Sequence, residues 1–208
     1  MSSSEEDVSG DHLSVNSAPP FKIDWLDLTA FGYPDSVGLS GLPGCKFKDN
    51  WRDIKRDLEY IKIEDVSDVF VLCTRGELTL YRVPTLLDEY DKHEIAVHHH
   101  PVSDGTAPTI DQLMIILRSV GSTIAQGKRV LVHCFGGLGR TGVVAACLLL
   151  NLDDALTPEH ALRKVQLLRG SRAIQTVKQY NFIHDFRGLR DEYLSNVTKQ
   201  EAQRPPSR

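Results

Sequence analysis

The chain has 208 residues, 41% of them hydrophobic, and its 24 Lys and Arg against 28 Asp and Glu give a formal net charge of −4. That is enough apolar material for one core, and the acidic balance excludes a general affinity for nucleic acid or anionic membrane. No apolar run reaches the ~18 residues of a membrane span, no basic-then-apolar signal opens the sequence, and Cys45, Cys73, Cys134 and Cys147 lack zinc or disulfide-framework spacing. The expectation is a soluble monomer with reduced thiols, cytoplasmic, with perinuclear or nuclear residence left open.

Residues 1–20, rich in Ser, Glu and Asp and closing on Pro19-Pro20, predict a disordered acidic tail, and 197–208 predict another. Between them 21–196 is expected to form one domain. "VSDVFVLC" (66–73) predicts a buried strand and "EIAVHHH" (94–100) a shorter one, followed by a loop, "PVSDGTAP", punctuated by Pro and Gly. The spacing over 109–127 predicts a helix capped by Thr109 and stopped by Gly127. "KRVLVH" (128–133) predicts a strand, and "RTGVVAACLLLN" (140–151) a helix apolar on all sides and therefore central. Thr157 caps and Pro158 opens the next helix, which ends near Gly170. In the last helix Phe182, Phe186, Leu189 and Tyr193 share an inward face, leaving His184, Arg187 and Asp191 outside as a candidate docking surface. Strands alternating with helices predict a single α/β domain, its central parallel-rich sheet flanked by helices. Such sheets bind ligands at the carboxyl ends of their strands.

One such end carries chemistry. In "VLVHCFGGLGRTG" (130–142) a strand passes through a glycine turn into a helix. Gly136, Gly137 and Gly139 permit φ > 0, so the N–H groups of Phe135, Gly136, Gly137, Leu138, Gly139 and Arg140 can converge on an anion, and the helix N-terminus adds positive potential. Cys134 faces that field, which should lower its thiol pKa from ~8.5 into the range of about 3.5–7.5 found at helix N-termini. Arg140 is placed to hold two phosphoryl oxygens with its planar fork. Thr141 can donate its hydroxyl to the sulfur and help expel it in a second step.

"HCFGGLGRTG" resembles the phosphate-binding loop of the cysteine-dependent protein phosphatases. "LPGCKFKD", "CTRGEL", "YRVP", "HHHPVSDG" and "RAIQTVKQYNFIHDFR" resemble its kinase-associated branch, over about residues 21 to 190. The resemblance implies a protein-tyrosine-phosphatase-like fold and a dual-specificity enzyme that hydrolyses phosphothreonine, and also phosphoserine and phosphotyrosine, through a phosphocysteine. It implies no cofactor and no metal. The implied partner is a phosphorylated cyclin-dependent kinase, preferably free of cyclin, whose dephosphorylation would restrain the cell cycle. It assigns Asp104 as the general acid; Asp111, the competing carboxylate, fits a first-turn dipole partner better. It assigns Gln175, and less directly Gln179, to positioning the water that hydrolyses the intermediate. Phe135 and Leu138 stand where lysines would meet a multiply charged inositol headgroup, so a single phosphate on protein is the better substrate.

Three further residues or groups have plainer readings. His98, His99 and His100 alternate faces in an extended segment and cannot easily chelate one ion. His133 is expected to shape the loop through hydrogen bonds rather than act as a base. Cys73 ends one strand as Cys134 ends another; if the strands are neighbours, oxidation would join the thiols in a protective disulfide, against the alternative of a packed core cysteine. A rhodanese-like sulfurtransferase and a non-catalytic phosphoprotein-binding module are the two other functional classes that a cysteine loop admits.

Overall fold

Two strands, β5 (Val66–Val71) and β7 (Arg129–His133), contain runs in which consecutive residues are buried: Val69, Phe70 and Val71 in the first, Val130, Leu131 and Val132 in the second. Successive strand side chains point to opposite faces, so both faces of their sheet must be covered. The computed structural model describes residues 19–48 and 50–202, and it places these strands side by side in a five-stranded sheet of order β1-β2-β7-β5-β6. The outer members are β1 (Asp24–Trp25), β2 (Val37–Ser40) and β6 (Ala96–His99). β2, β7, β5 and β6 are parallel, and β1 closes one edge antiparallel to β2. The register aligns Ser40, His133, Val71 and His99 in one row. The carboxyl ends of four strands therefore open onto the same edge.

Helices α4 (Ile110–Ala125), α5 (Arg140–Leu152), α6 (Pro158–Arg169) and α7 (Val177–Ala202) pack together, with α5 touching the other three and strands β2 and β7. α5 is buried without a break from Arg140 through Leu150, as a helix apolar on all sides must be. α1 (Ile54–Ile63) lies on β5 and α3 (Leu86–Lys92) on β6. The short α2 (Arg75–Leu80) follows β5, and the hairpin β3 (Lys46–Phe47) and β4 (Asn50–Trp51) stands apart from the main sheet.

The predicted caps are present. Thr109 accepts from Gln112 N–H in a full capping box, Thr157 accepts from His160 N–H with Pro158 at the first helical position, and Gly170 ends α6. The elements of the first third, β1 to α1, have no counterpart among the sequence expectations: β1, β3 and β4 are two residues each, too few to show a period, whereas α1, capped by Asp53, carries a local signal that those expectations omit. The acidic tail prediction falls almost wholly outside the described residues. At the other end a correction is needed: α7 continues past the expected domain end at 196 through Ala202. Lys199, Gln200, Glu201 and Ala202 are good helix formers, and nothing among them stops a helix already under way.

The last helix also corrects the predicted docking face. Ile183 joins Phe186 as a fully buried residue of α7, while Phe182, Leu189 and Tyr193 are half-buried. Arg187 does not point freely outward: its Nη2 donates to Asp153 O at 2.8 Å and Leu156 O at 2.7 Å, tying α7 to the α5–α6 turn. His184 is half-buried with Glu159 Oε1 3.6 Å away, which leaves Asp191, paired with Arg190, as the exposed member of the three. Removing the Arg187 donors strands two carbonyls. Arg187→Leu is expected to lower unfolding stability by about 1–3 kcal/mol, read as a shifted urea midpoint at unchanged slope. A midpoint equal to the parent's would show the carbonyls to be satisfied by water.

Candidate active site

Cys134 directly follows β7 and Arg140 opens α5, so residues 135–139 must turn a strand into a helix. They do so with every carbonyl turned outward and engaged. Phe135 O accepts from Leu42 N–H at 2.9 Å, Leu138 O from Ile174 N–H at 3.3 Å and Gly139 O from Val143 N–H at 2.9 Å. Gly136 O and Gly137 O accept from Arg169, at 3.4 Å and 2.9 Å. Among the described residues no backbone N–H from Phe135 to Arg140 has a protein acceptor. Six successive N–H donors without a protein acceptor, leading into a helix N-terminus, form a set suited to an anion.

Two of the three expected glycine requirements hold, for different reasons. Gly137 alone adopts a positive φ, 65°, and a Cβ there would strike Ser40 O and the Arg169 guanidinium. Gly139 has ordinary φ, but a Cβ would lie 2.7 Å from Gln175 Oε1 and 2.8 Å from Gln179 Nε2. Gly136 has no unusual φ, and a Cβ there would meet the Leu138 side chain at ordinary contact distance, so of the three glycines that permit φ > 0 only Gly137 uses it. Of the loop's two large side chains, Phe135 stacks on Tyr81 with centroids 4.0 Å apart and meets Phe47 edge-on, while Leu138 is half-buried.

Arg140 is 1% exposed, and its guanidinium is clamped from behind. Nη2 and Nη1 donate to the two Glu77 oxygens at 2.6 and 2.8 Å, and Nη1 donates also to Val102 O at 2.9 Å. Nη2 lies 3.1 Å from Asp104 Oδ1. Nε, although buried, has no partner. Burial works against the charge, but the Glu77 hydrogen bonds outweigh it and hold the guanidinium pKa above its ordinary range. Burial likewise pushes the Glu77 carboxyl up; its bonds to Arg140 and Thr74 win and keep it below the usual carboxylate range. The arrangement leaves Nε as the unfilled tooth of the fork, with Nη2 shared between Glu77 and an exposed, displaceable aspartate. Thr141 Oγ1 is a second buried polar atom at this site without a partner among the described residues. Together with the loop N–H groups, Arg140 Nε and Thr141 Oγ1 make a set of donors suited to an anion.

The other predicted residues divide. Asp104 is brought to Arg140, whereas Asp111 sits in the first turn of α4, as a dipole partner should. Gln175 precedes α7 rather than lying within it; its amide overhangs Gly139 and has no hydrogen bond of its own. Gln179 is fully buried, accepting from Gln175 N–H at 2.8 Å and donating to Thr106 O at 3.1 Å. His133 shares a 3.0 Å hydrogen bond with Tyr90 OH, and burial pushes its pKa down to about 3, so the imidazole is neutral and serves structure. His98 pairs with Asp68 at 2.7 Å and stacks on Phe70, while His99 Nε2 donates to Cys73 O at 2.8 Å; the alternation of faces is as expected. β5 and β7 are neighbours, so Cys73 and Cys134 end adjacent strands, both as free buried thiols. Burial first, and the nearby Cys134 second, push the Cys73 thiol well up, which favours its protonated form.

A family model described as Cyclin-dependent kinase inhibitor 3 (CDKN3) matches residues 1–162. The chain is 45% identical over 196 residues to cyclin-dependent kinase inhibitor 3 of Rattus norvegicus, covering 94% of this chain and 92% of that protein. It is 44% identical over 200 residues to the Homo sapiens protein of the same name, covering 96% and 94%. This chain belongs to the cyclin-dependent kinase inhibitor 3 family. A crystal structure of a kinase-associated phosphatase, its catalytic-site cysteine replaced by serine, matches with a TM-score of 0.80 at 46% identity, covering 83% of this chain and 97% of that one. Tk-PTP in its active form matches at 0.64 and 31% identity, covering 81% and 96%. The chain is a protein phosphatase with the protein-tyrosine-phosphatase-like fold.

Two residues of this phosphatase escaped the sequence reading. Glu77 carries the signature of a capping box, Thr74-x-x-Glu77, and does cap α2, accepting from Thr74 N–H at 2.9 Å. The same carboxylate clamps Arg140. A cap signal alone gives no reason to suspect the second use. Arg169, whose side chain holds two loop carbonyls and pairs with the buried Asp24, looked like an ordinary last-turn arginine of α6. Removing one member of a buried pair leaves an uncompensated charge. Glu77→Ala is therefore expected to destabilise the fold by roughly 3–5 kcal/mol in urea titration, and a loss under 1 kcal/mol would place the pair among surface salt bridges.

Proposed function

We propose that this phosphatase removes a single phosphate from threonine, and also from serine and tyrosine, on a protein substrate through a phosphocysteine. The observation that carries the reading is the loop in which every carbonyl is engaged outward while six N–H groups, Arg140 Nε and Thr141 Oγ1 are left without partners. A phosphate on this loop meets the backbone donors and takes Nε and Nη2 of Arg140, drawing Nη2 away from Asp104. The Cys134 sulfur attacks phosphorus as a thiolate, the phosphorus–oxygen bond breaks, and protonated Asp104 gives its proton to the leaving oxygen. In the second step Gln175 orients a water, Asp104 takes its proton, and Thr141 supports the departing thiolate. Arg140 and the cradle are pre-set for the charge on the transferring phosphoryl group, which is where electrostatic preorganisation acts.

The substrate we assign is the phosphothreonine of a cyclin-dependent kinase activation segment, preferably in the kinase without cyclin, so that the phosphatase restrains the cell cycle. The names of the family and of its kinase-associated relative support this assignment. The loop supports a single phosphate, since Phe135 and Leu138 offer no charge to a multiply phosphorylated headgroup. With so little to grip a peptide, affinity must come from surface remote from the loop. Dephosphorylation of a folded phosphorylated cyclin-dependent kinase, without added metal, tests the whole reading. The parent should act on it with far higher kcat/KM than on its isolated phosphopeptide, and Cys134→Ser should bind but not turn over. A Cys134→Ser rate within tenfold of the parent removes the nucleophile; equal kcat/KM on protein and peptide removes remote docking.

The acid has its own signature. An aryl oxide leaves without a proton and an alkoxide does not, so Asp104→Asn should cost about 10²–10⁴-fold on phosphothreonine and much less on p-nitrophenyl phosphate. Equal losses on the two substrates would move the role away from Asp104.

A further inference from the structure

Asp104 is 70% exposed, and among the described residues its one side-chain partner is Arg140. An acid so loosely held has to be aimed by its backbone, and two sets of bonds bracket it. On one side Val102 N–H donates to Leu72 O at 3.0 Å, and Val102 O accepts from Arg140 Nη1 at 2.9 Å. On the other side the next two carbonyls are held from a different element. Thr176 Oγ1 donates to Gly105 O at 2.9 Å, and Gln179 Nε2 donates to Thr106 O at 3.1 Å.

Both donors belong to the start of α7, and each works twice. Thr176 Oγ1 accepts from Gln179 N–H at 3.2 Å, capping the helix, while Gln179 Oε1 accepts from Gln175 N–H at 2.8 Å. A buried amide is costly unless satisfied, and Gln179 is satisfied by these loops alone. Just before it, Ile174 is held at φ 63°, a left-handed conformation that β-branched residues avoid, with its N–H on Leu138 O of the phosphate loop. Such strain persists only where the surroundings over-determine it. The segment 174–179 is thus fastened to the phosphate loop at one end and to the acid loop at the other. Between the brackets the acid loop is closed on itself as a turn, Thr106 N–H and Oγ1 donating to Ser103 O at 3.1 and 2.7 Å with Gly105 at φ 72°, so what α7 holds is the position of that turn as a whole.

We infer that Thr176 and Gln179 are positioning residues for the general acid. They fix the Gly105 and Thr106 carbonyls and so set the distance from Asp104 to the leaving oxygen. Because the same segment presents Gln175, one strut sets the acid for the first step and the water for the second.

The inference rests on Asp104 being the acid, so Asp104→Asn serves as the reference. Thr176→Val removes the hydroxyl at nearly constant shape, Thr176→Ser keeps it, and Gln179→Met removes the second donor at similar length. Each full-length variant is assayed on a phosphothreonine peptide and on p-nitrophenyl phosphate. Thr176→Val and Gln179→Met should lose about tenfold or more in kcat on the peptide, a fraction of the 10²–10⁴ that the acid supplies; for Thr176→Val kcat on the aryl ester should fall less than about threefold, and Gln179→Met, which also releases Gln175, should lose more on the peptide than on the aryl ester. KM should hold for Thr176→Val, whose hydroxyl meets the acid loop and not the cradle, and Thr176→Ser should restore the peptide rate. Equal losses on the two substrates would mean that α7 merely supports the fold, and no loss would mean that Asp104 is aimed from the Arg140 side alone; either overturns the inference while Asp104→Asn keeps its selectivity. If Asp104→Asn shows no selectivity, the acid assignment itself falls, and the strut with it.

Discussion

A guanidinium taken out of water has to be compensated on every side, and the functional end of this molecule is arranged around that requirement at Arg140. Two Glu77 oxygens and the carbonyl of Val102 occupy one side of the fork. Glu77 comes from the helix after β5, and Val102 from the loop after β6. Meeting the charge therefore pins the segments that follow two strands to the start of α5. The desolvation cost is borne by a geometry good enough to offset it, and the by-product is a fixed fork with one tooth unfilled.

The phosphate loop obeys the complementary constraint. A chain that turns from a strand into a helix within five residues cannot pair its own polar groups. Here the acceptors are met by neighbours, Leu42, Arg169, Ile174 and the helix itself, and the donors are left for a ligand. Arg169 is central to this, because its guanidinium reaches Gly136 O and Gly137 O and is itself held by Asp24 on the edge strand. The site is rigid where the phosphate sits. It is adjustable at Asp104, where a proton has to move.

His133 and Cys73 illustrate how the same burial separates spectators from reactive groups. Both lie beside Cys134, both are potentially reactive, and desolvation disfavours the charged form of each: the imidazole stays neutral at physiological pH and the Cys73 thiol is held toward its protonated form. Cys134 differs in standing where the cradle and Arg140 converge.

The strand, turn and helix from Val130 to Leu150, the caps at Thr109 and Thr157, and the alternation at His98–His100 were all legible in the sequence. Each is decided by neighbours a few residues apart, through side-chain period, cap chemistry or steric limits. Cys134, Arg140 and the loop between them belong to this class: a strand, a glycine turn and a helix start, all between Arg129 and Arg140. Gly139 was legible only as a glycine; its reason, two glutamine amides from another segment, was not. Glu77 stands 63 residues from Arg140, Arg169 32 residues from Gly137, and Thr176 71 residues from Gly105. Those pairings exist because the register of β5, β6 and β7 brings their carboxyl ends into one row and α7 folds back across α5. A register is a property of paired strands, so no local pattern contains it. Local pattern was enough to place the loop between its strand and its helix; only the folded chain brings Glu77 to Arg140, Arg169 to Gly137 and Thr176 to Gly105.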